Sequence, residues 1–336
     1  MNENDIQDLK NLLSAPKKIC IIPHRSPDGD AMGSTLGLSI MLQKLGHSTT
    51  VLAPNDFPNF LAWLPESEKV VIYEKDKSAG KLILNDAEII FTLDFNAFHR
   101  TGEMQEVLST LTVPFVMIDH HQMPDDYAMF TYSDPKMGST CEMVYNFFGF
   151  LNITHLIDAQ IASCLYTGIV TDSGSFKYSS TTSTTHQVAG KLLDLGIDSG
   201  TIQSNLFDNN SFESLQLLGK ALTNIKILKE NNAAYTFLTQ ADLDFYKYSK
   251  GDTEGIVNYC LKIEGIHLAA IFIENADEKI TKISFRSLGN FNVTEFARTY
   301  FHGGGHINAA GGKSELSVAE TLERFERILS DNNIKG

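Results

Sequence analysis

The chain has 336 residues, of which 43% are apolar and 20% are charged, and it contains no low-complexity tract. This composition is typical of a folded globular protein, and the length favours two domains that each bury an apolar core. The formal net charge of −14 disfavours binding to a long nucleic-acid duplex, which requires many basic side chains at the phosphates. Because clustered carboxylates need a cation to offset their repulsion, the acidic excess indicates a small anionic ligand held through metal.

The cysteines and the N-terminal segment bear on the cellular compartment. The four cysteines are widely spaced: Cys20, Cys141, Cys164 and Cys260. Their spacing predicts neither a zinc site nor a disulfide framework, so a reducing cytoplasm fits best. No apolar run reaches the roughly 18 residues of a membrane span, and residues 1–18 lack the apolar core of an export signal. We therefore expect a cytoplasmic protein with no membrane partner, and leave the oligomeric state open, with a homodimer as one option.

The first part of the chain alternates strand and helix patterns. Strands are predicted at residues 18–23, 49–52, 88–93 and 113–118, and helices at residues 33–45, 140–148, 159–171 and 185–195. The strand runs are almost continuously apolar, which indicates strands buried on both faces. Their alternation with helices predicts an α/β fold, in which a mainly parallel sheet has helices on both faces. We assign residues 1–197 to this domain.

Apolar content falls between residues 198 and 214, which predicts a connector. Beyond it, strands are predicted at residues 224–229, 234–238, 267–273 and 279–287, and helices at residues 254–260 and 319–329. Residues 215–336 are therefore expected to form a smaller mixed α/β domain. We expect the active-site cleft to lie between the two domains.

The run from His24 to Ala31 carries the strongest local signal for chemistry. It follows the first predicted strand and precedes a helix, and ligands of open α/β sheets bind at that edge. Asp28 and Asp30 flank a glycine, so both carboxylates can face one cavity, as a site for a hard cation requires. A Pro-Asp-Gly turn with a helix cap explains the same residues without any ligand.

Three further acids follow predicted strands or helices: Asp94, Asp119 and Asp172. Singly, each is explained as a turn residue or a helix cap, but together they can converge at one edge of a sheet. Asp119 is followed directly by His120 and His121. A mixture of carboxylate oxygen and imidazole nitrogen suits Mn²⁺ best and also admits Mg²⁺ or Co²⁺.

These motifs, in this order, resemble those of the DHH phosphoesterases, a family named after the Asp-His-His tripeptide. The second part of the chain adds Arg286, a glycine run before His306, and the run Ala309–Gly312, which together resemble the DHH-associated substrate domain. The resemblance covers nearly the whole chain. The glycine run is not a dinucleotide or P-loop motif, since it comes late in the chain and lacks the following Lys-Ser/Thr.

The resemblance implies roles for individual residues. His24, Asp28 and Asp94 would hold one metal ion, and Asp30, His120 and Asp172 would hold a second, with Asp94 bridging both. Asp119 and His121 would support these ligands by hydrogen bonds. The residues implied as catalytic are Asp94, His120 and His121. Two divalent ions would activate a water molecule for in-line attack on phosphorus, so no side-chain nucleophile is needed.

The remaining candidates concern the substrate. Arg286 and His306 would hold a phosphate, and the backbone of Gly303, Gly304 and Gly305 could approach it closely. Arg100 is a further candidate for a phosphate contact, although an exposed helix arginine explains it equally well. Phe176 and Tyr178, read as alternate residues of a strand, would face one side and could stack on a base, with core packing as the alternative.

The layout most resembles the bifunctional oligoribonuclease and 3′-phosphoadenosine-5′-phosphate (pAp) phosphatase type of this family. We therefore expect a hydrolase for short RNA, for pAp, or for both. Hydrolysis of soluble cyclic dinucleotides or of linear pApA is the main alternative, followed by a family-II pyrophosphatase and by a nucleotide-binding module without activity. An exonuclease of the RecJ type would need an additional nucleic-acid-binding domain.

Overall fold

The computed structural model describes residues 1–336, and they form two compact units, Met1–Asn209 and Asn210–Gly336. The division falls inside the range predicted as a connector. Most of that range is helical, because Ile202 and Leu206 lie one helical turn apart and are both buried in the core of the first unit. No helix has both the length and the apolar character needed to span a bilayer.

The first unit contains six strands and eight helices. The strands are β1 (Lys18–Ile22), β2 (Ser48–Ala53), β3 (Val71–Ile72), β4 (Ile89–Leu93), β5 (Phe115–Asp119) and β6 (Phe130–Ser133). The helices are α1 (Glu3–Leu12), α2 (Gly29–Lys44), α3 (Lys77–Asp86), α4 (Gln105–Leu108), α5 (Thr140–Leu151), α6 (Ala159–Asp172), α7 (Ser183–Leu193) and α8 (Ser199–Phe207). Sequence patterns predicted the four longer strands and α2, α5, α6 and α7, but not the short strands β3 and β6.

The sheet of the first unit is parallel throughout, with strand order β3-β2-β1-β4-β5-β6. The chain leaves β1 toward β2 and β3 and then returns to place β4 on the other side of β1. Such a reversal opens a crevice at the carboxyl ends of the two central strands. The fold therefore provides a ligand position beside the ends of β1 and β4.

The central strands are buried on both faces, as their continuous apolar runs predict. Ile19 and Ile21 of β1 pack into one core with helices α2, α5 and α6, whereas Cys20 and Ile22 pack into a second core on the opposite face. This alternation follows from the two-residue side-chain period of a strand. The expected helix-covered parallel sheet is thus confirmed.

Helices α2 and α6 pack so closely that two glycines at their contact have no room for a side chain. A Cβ atom at Gly33 of α2 would lie 2.3 Å from the Cys164 carbonyl of α6, and one at Gly168 of α6 would lie 2.6 Å from Asp30 Oδ1. No real side chain fits at such distances. The absence of a side chain at these glycines lets α6 approach the first turn of α2.

The second unit contains six strands and five helices. The strands are β7 (Lys226–Leu228), β8 (Ala233–Leu238), β9 (Leu268–Asn275), β10 (Ile280–Ser287), β11 (Gly304–His306) and β12 (Ala309–Ser314). The helices are α9 (Phe212–Thr223), α10 (Gln240–Phe245), α11 (Val257–Cys260), α12 (Val293–Phe301) and α13 (Val318–Asp331). The strand order is β11-β12-β10-β9-β8-β7, and only the β8–β9 pair is parallel.

Aromatic side chains fill the core on one face of this second sheet. Phe285 of β10 contacts the rings of Phe296, Phe301 and Phe325 at centroid distances of 5.4, 5.4 and 6.2 Å. These three rings belong to α12 and α13, so the contacts hold both helices against the sheet. The mixed α/β fold expected for the second domain is confirmed.

Candidate metal centre

The acidic and histidine residues of the sequence motifs converge at the switch point of the parallel sheet. His24 follows β1, Asp94 follows β4, and Asp119 is the last residue of β5. Helices supply the others: Asp28 caps α2, Asp30 lies in its first turn, and Asp172 is the last residue of α6. Residues separated by up to 148 positions in the sequence thus meet because parallel strands end at a common edge.

One group consists of His24, Asp28 and Asp94. His24 Nε2 lies 3.3 Å from Asp94 Oδ2 and 3.8 Å from Asp28 Oδ2. Asp28 has a second role, because its Oδ1 accepts hydrogen bonds from the backbone N–H groups of Asp30 and Ala31 at 3.0 and 3.1 Å. One oxygen therefore caps the helix, while the other faces the histidine.

A second group consists of Asp30, His120 and Asp172, and it also contacts Asp94. His120 Nε2 lies 3.2 Å from Asp172 Oδ2, 3.4 Å from Asp94 Oδ1 and 3.8 Å from Asp30 Oδ2. In each of the two groups, the donor atoms lie within 4.8 Å of one another, which is a spacing at which they could hold a metal ion. Asp94 stands between the groups, with one oxygen facing each histidine.

The backbone of Asp94 is itself unusual, since its φ of +64° lies in the left-handed region. Asp and Asn adopt this conformation more readily than other residues with a side chain. The conformation turns the chain sharply at the end of β4. A sparsely populated backbone conformation of this kind often marks a functional position, which agrees with a role of Asp94 in the site.

All three histidines of the site have their Nδ1 atoms engaged. His24 Nδ1 lies 2.9 Å from the Arg25 carbonyl, and His120 Nδ1 lies 3.1 Å from the Met137 carbonyl. A carbonyl can only accept a hydrogen bond, so Nδ1 must donate and Nε2 carries the lone pair in the neutral ring. Histidines that bind metals are usually fixed in this way by a bond from the other ring nitrogen.

His121 is oriented by Asp119. Its Nδ1 donates to Asp119 Oδ1 at 2.7 Å, and its backbone N–H donates to Asp119 Oδ2 at 2.9 Å. Asp119 is fully buried, with 0% of its surface exposed. The bidentate contact fixes the ring of His121, and Asp119, His121 and Asp94 form a third group whose donor atoms lie close together.

The electrostatics of the cluster show how closely its charges interact. Burial, followed by the charge of Asp94, raises the pKa of Asp30 to about 7. Although burial opposes ionisation, hydrogen bonds from His120 and His24 hold the pKa of Asp94 well below its usual range. Burial lowers the pKa of His121, which outweighs the opposing bond to Asp119. Burial and a neighbouring carboxylate thus disfavour negative charge on Asp30, whereas the histidines favour it on Asp94.

This donor set fits divalent cations. The ion pairs of Asp30, Asp94 and Asp172 are all with histidines, and none is with a lysine or an arginine. Buried carboxylates without a permanent cation are costly, and a bound metal ion would offset that cost. A mixture of carboxylate oxygen and imidazole nitrogen is also a common ligand set for divalent first-row metals.

Arg100 lies beside this cluster, in a 3₁₀ segment at Phe98–Met104. Its carbonyl accepts a hydrogen bond from the Arg25 amide at 2.8 Å, which ties it to the residue that follows His24. Burial lowers the pKa of His121 and the charge of Arg100 adds to that effect, whereas at His24, whose pKa is raised by Asp94 and Asp28 despite burial, the same charge opposes the rise. The structure therefore places a half-exposed positive charge next to the histidines.

The substrate side chains predicted in the second unit lie on β10 and β11, which flank β12 in its sheet. Arg286 of β10 pairs with Ala309 of β12, which in turn pairs with His306 of β11. Arg286 Nη1 donates to the Phe285 carbonyl at 2.9 Å, and the His306 carbonyl accepts from the Thr294 hydroxyl. The two side chains are thus brought to the same end of this part of the sheet.

The glycine run has a packing role that its sequence did not reveal. A Cβ atom at Gly303 would lie 1.9 Å from the Gly311 carbonyl. Gly305 has a φ of +147°, and a Cβ atom there would lie 2.4 Å from the Ala309 carbonyl. The Gly303 amide donates to the Ala297 carbonyl at 3.1 Å, at the end of α12. Gly304 differs, since the nearest neighbour of its added Cβ would be Arg298 Nε at 3.9 Å.

The strand-like interpretation of residues 173–178 is wrong. Gly174, Ser175 and Phe176 have φ values of +57°, +58° and +66°, so the chain makes a left-handed turn directly after α6. The ring of Phe176 stacks on His186 at a centroid distance of 5.0 Å and packs against the first core. Tyr178 is 47% exposed. The two aromatics therefore do not share one face of a strand.

Several residues whose hydrogen bonds support the site were not predicted from the sequence. The Thr140 hydroxyl donates to Asp94 Oδ1 at 2.9 Å. The buried Asn96 amide donates to the His121 and Gln122 carbonyls at 3.0 and 3.1 Å, and Asn55 Oδ1 accepts from the Ser26 amide at 2.6 Å. These partners are between 25 and 46 residues apart in the sequence, so no local pattern could reveal them.

Comparison with known families agrees with this geometry. Residues 18–169 match the N-terminal domain of the DHH family, and residues 230–331 match the DHHA1 domain. The two matches correspond to the first and second units in order. The chain therefore belongs to the DHH family, whose members are phosphoesterases.

Individual relatives extend over nearly the whole chain. The crystal structure of an exopolyphosphatase-related protein from Bacteroides fragilis is 34% identical, covers 98% of this chain and 96% of that chain, and superposes with a TM-score of 0.93. The bifunctional oligoribonuclease and PAP phosphatase NrnA of Thermus thermophilus is 29% identical, with 93% of this chain and 88% of the relative covered. The cyclic-di-AMP phosphodiesterase GdpP of Bacillus subtilis is 25% identical and covers 96% of this chain, but only 49% of that relative is matched.

Proposed function

We propose that this protein is a phosphoesterase that uses divalent metal ions to hydrolyse short oligoribonucleotides and the 3′-phosphate of pAp. Cleavage would break a P–O bond and add water across it, so that a short RNA yields mononucleotides and pAp yields AMP and inorganic phosphate. The similarity to the oligoribonuclease and PAP phosphatase of Thermus thermophilus across 93% of the chain supports this substrate class.

The observation that carries the proposal is the position of Asp94 between two histidines. Its Oδ2 lies 3.3 Å from His24 Nε2 and its Oδ1 lies 3.4 Å from His120 Nε2. We therefore propose that His24, Asp28 and Asp94 hold one ion, and that Asp30, Asp94, His120 and Asp172 hold another, with Mn²⁺ preferred. When bound, such ions supply Lewis-acid activation of water and neutralise charge at the phosphoryl group.

The remaining residues would orient the ligands and the substrate. Asp119 keeps the proton of His121 on Nδ1, which leaves the lone pair on Nε2 for the active site. Arg100 would contact a phosphate oxygen of the substrate, because a guanidinium forms strong, charge-assisted hydrogen bonds with phosphate. From the second unit, we propose that Arg286, His306 and the amide of Gly304 contribute further substrate contacts.

A second candidate is hydrolysis of a cyclic dinucleotide or of linear pApA. It is favoured by the similarity to a cyclic-di-AMP phosphodiesterase, which extends over 96% of this chain. The chain spans about half the length of that relative. Cyclic dinucleotides and short linear RNA contain the same phosphodiester bond. The two candidate functions therefore differ in the shape of the substrate that the site accepts.

The test is a panel of substrates incubated with purified protein and Mn²⁺. The panel contains pAp, short oligoribonucleotides, pApA, cyclic-di-AMP and a long RNA duplex, and products are separated by chromatography. We expect turnover of pAp and short RNA and none of the duplex. Preferential turnover of cyclic-di-AMP would favour the second candidate, and no turnover of any substrate would indicate a binding module without activity.

The compartment is part of the proposal. All four cysteines are buried thiols, and none is paired with another. Buried free thiols are common in proteins of reducing compartments. We therefore propose that the protein acts in the cytoplasm.

A further inference from the structure

Thr140, the first residue of α5, contacts two of the carboxylates around which the metal centre is built. Its backbone N–H donates to Asp30 Oδ2 at 2.6 Å, and its hydroxyl donates to Asp94 Oδ1 at 2.9 Å. The residue is fully buried, so neither bond competes with water. A single residue therefore joins Asp30, of one ligand group, to Asp94, which faces both groups.

The backbone contact follows from how α5 begins. Ser139 caps the helix, and its hydroxyl accepts from the Glu142 amide at 3.1 Å. The first amides of a helix have no partner within it, and those of Thr140 and Cys141 donate instead to the two oxygens of Asp30. Asp30 is thereby held at both of its oxygens by the start of α5.

The side-chain contact is fixed by the chemistry of the two groups. A carboxylate can only accept hydrogen bonds, so the Thr140 hydroxyl must donate its single proton to Asp94. Because threonine is β-branched and this one is buried, its χ1 angle has little freedom. The hydroxyl therefore fixes the direction of one oxygen of Asp94, the oxygen that lies 3.4 Å from His120 Nε2.

We propose that Thr140 is a positioning residue that sets the geometry of Asp30 relative to Asp94 and so raises the affinity of the site for divalent cations. The inference rests on the proposed function, because it requires that these two carboxylates bind metal. Thr140 is not proposed as a metal ligand itself; it would act on the metal only through Asp30 and Asp94. Removing a group that supports a metal ligand typically lowers metal affinity by about 10–100-fold.

The experiment measures Mn²⁺ binding by titration calorimetry and by the rise in melting temperature with added Mn²⁺. Thr140→Val keeps the shape and the backbone bond to Asp30 but removes the hydroxyl. Thr140→Ala and Thr140→Ser form a second pair that differs only in the hydroxyl, and this pair decides the matter if the valine variant does not fold. The matched control is Thr35→Val, since Thr35 is equally buried but donates only to carbonyls of its own helix.

We expect Thr140→Val and Thr140→Ala to bind Mn²⁺ about 10–100-fold more weakly than the unaltered protein. Thr140→Ser keeps the hydroxyl but not the β-branch and should bind Mn²⁺ more tightly than Thr140→Ala, and Thr35→Val should bind it as the unaltered protein does. A role in folding alone would lower the melting temperature without moving the Mn²⁺ titration. The inference is overturned if Thr140→Ala and Thr140→Ser bind Mn²⁺ equally, or if Thr35→Val is weakened as much as Thr140→Val.

These measurements need no turnover, so the two proposals can fail separately. If the unaltered protein does not bind Mn²⁺, the proposed function fails and this inference fails with it. If it binds Mn²⁺ and shows the expected pattern among the variants, but hydrolyses none of the substrates, only the proposed activity fails.

Discussion

The two units use their motif residues in different ways. In the first unit, motif side chains contact one another: Asp94 lies between His24 and His120, and Asp119 holds His121. In the second unit, Gly303 of the motif allows two stretches of backbone to pack closely, since a side chain there would collide with the opposing strand. Motif residues can therefore contact one another through their side chains in one part of a chain and allow close backbone packing in another.

Substitution of Asp94 should affect metal binding and turnover with little effect on the fold, because its two carboxylate oxygens face the histidines of the site. Asp28 also caps α2, so its substitution should lower stability as well. Substitutions at the second unit's packed glycines should affect stability first. Gly304 and Arg286 are the positions in the second unit at which a substrate contact can be examined separately from packing.

The largest effect is expected for Asp94→Asn. Asparagine tolerates the positive φ at this position, so the backbone is preserved, but the charge that faces both histidines is lost. We expect kcat to fall by roughly 10³-fold or more, as for removal of a residue on which a whole catalytic unit depends. The measurement is kcat with pAp at saturating Mn²⁺, together with the melting temperature.

The control for this change is Asp277→Asn, at an exposed turn between β9 and β10. It should leave kcat unchanged. Retention of near-normal turnover by Asp94→Asn would contradict the assignment of Asp94 to both metal ions, and with it the contrast between the two units.

The next largest effect is expected for Gly168→Ala, which tests the close crossing of α2 and α6. The added Cβ would lie 2.2 Å from Cys141 Sγ and 2.9 Å from Asp30 Cα, so the helices must separate. Overpacking of this kind costs about 1–3 kcal/mol of the free energy of unfolding, and here it would also displace Asp30. Chemical denaturation and Mn²⁺ titration measure the two effects.

Gly190→Ala is the matched helical control, because no atom outside its chain neighbours and its own helix backbone lies within 4 Å of the added Cβ. It should raise stability by about 0.5–1 kcal/mol and leave Mn²⁺ binding unaltered. If Gly168→Ala were equally harmless, the close approach of the two helices would not be needed to place Asp30.

Arg286→Ala tests whether the second unit contributes to substrate binding. A lost charge-assisted hydrogen bond costs about 1.5–3 kcal/mol, so KM for pAp should rise by roughly 10–100-fold while Mn²⁺ affinity is unchanged. Arg286→Lys, which keeps the charge but not the planar fork, should give an intermediate KM. An unaltered KM in the alanine variant would remove Arg286 from the substrate site.

Within the glycine run, two neighbouring positions should behave differently. Gly303→Ala should lower the free energy of unfolding by about 1–3 kcal/mol, because its Cβ would collide with the Gly311 carbonyl. Gly304→Ala has room and should leave stability within about 0.5 kcal/mol of the unaltered protein. Equal loss of stability in both variants would show that the run as a whole is needed for packing.

Much of the first unit could be predicted from its sequence, for identifiable physical reasons. Continuous apolar runs marked β1, β4 and β5, and the parallel arrangement of these strands brings their carboxyl ends, and hence Asp94 and Asp119, to one edge. Two helix starts also carry a local sequence signal. Asn2 and Asp5 form a capping box that starts α1, and Asn292 caps α12.

Other features depend on contacts between distant residues and could not be predicted. The bond between the Thr140 hydroxyl and Asp94 joins positions 46 apart, and the left-handed turn at residues 174–176 follows no strand or helix period. The packing of Gly303 against Gly311 requires the register of β11 and β12. The motif residues that converge in the first unit could be named from the sequence, but the contacts that fix their geometry could not.

The most direct test of the account is the number of Mn²⁺ ions bound to each chain, measured by equilibrium dialysis and metal analysis. We expect about two ions for the unaltered protein, as in two-metal phosphoesterase sites, and fewer than one for Asp94→Asn at the same free Mn²⁺ concentration. Binding of a single ion by the unaltered protein, or of two ions by Asp94→Asn, would contradict a metal centre built around Asp94.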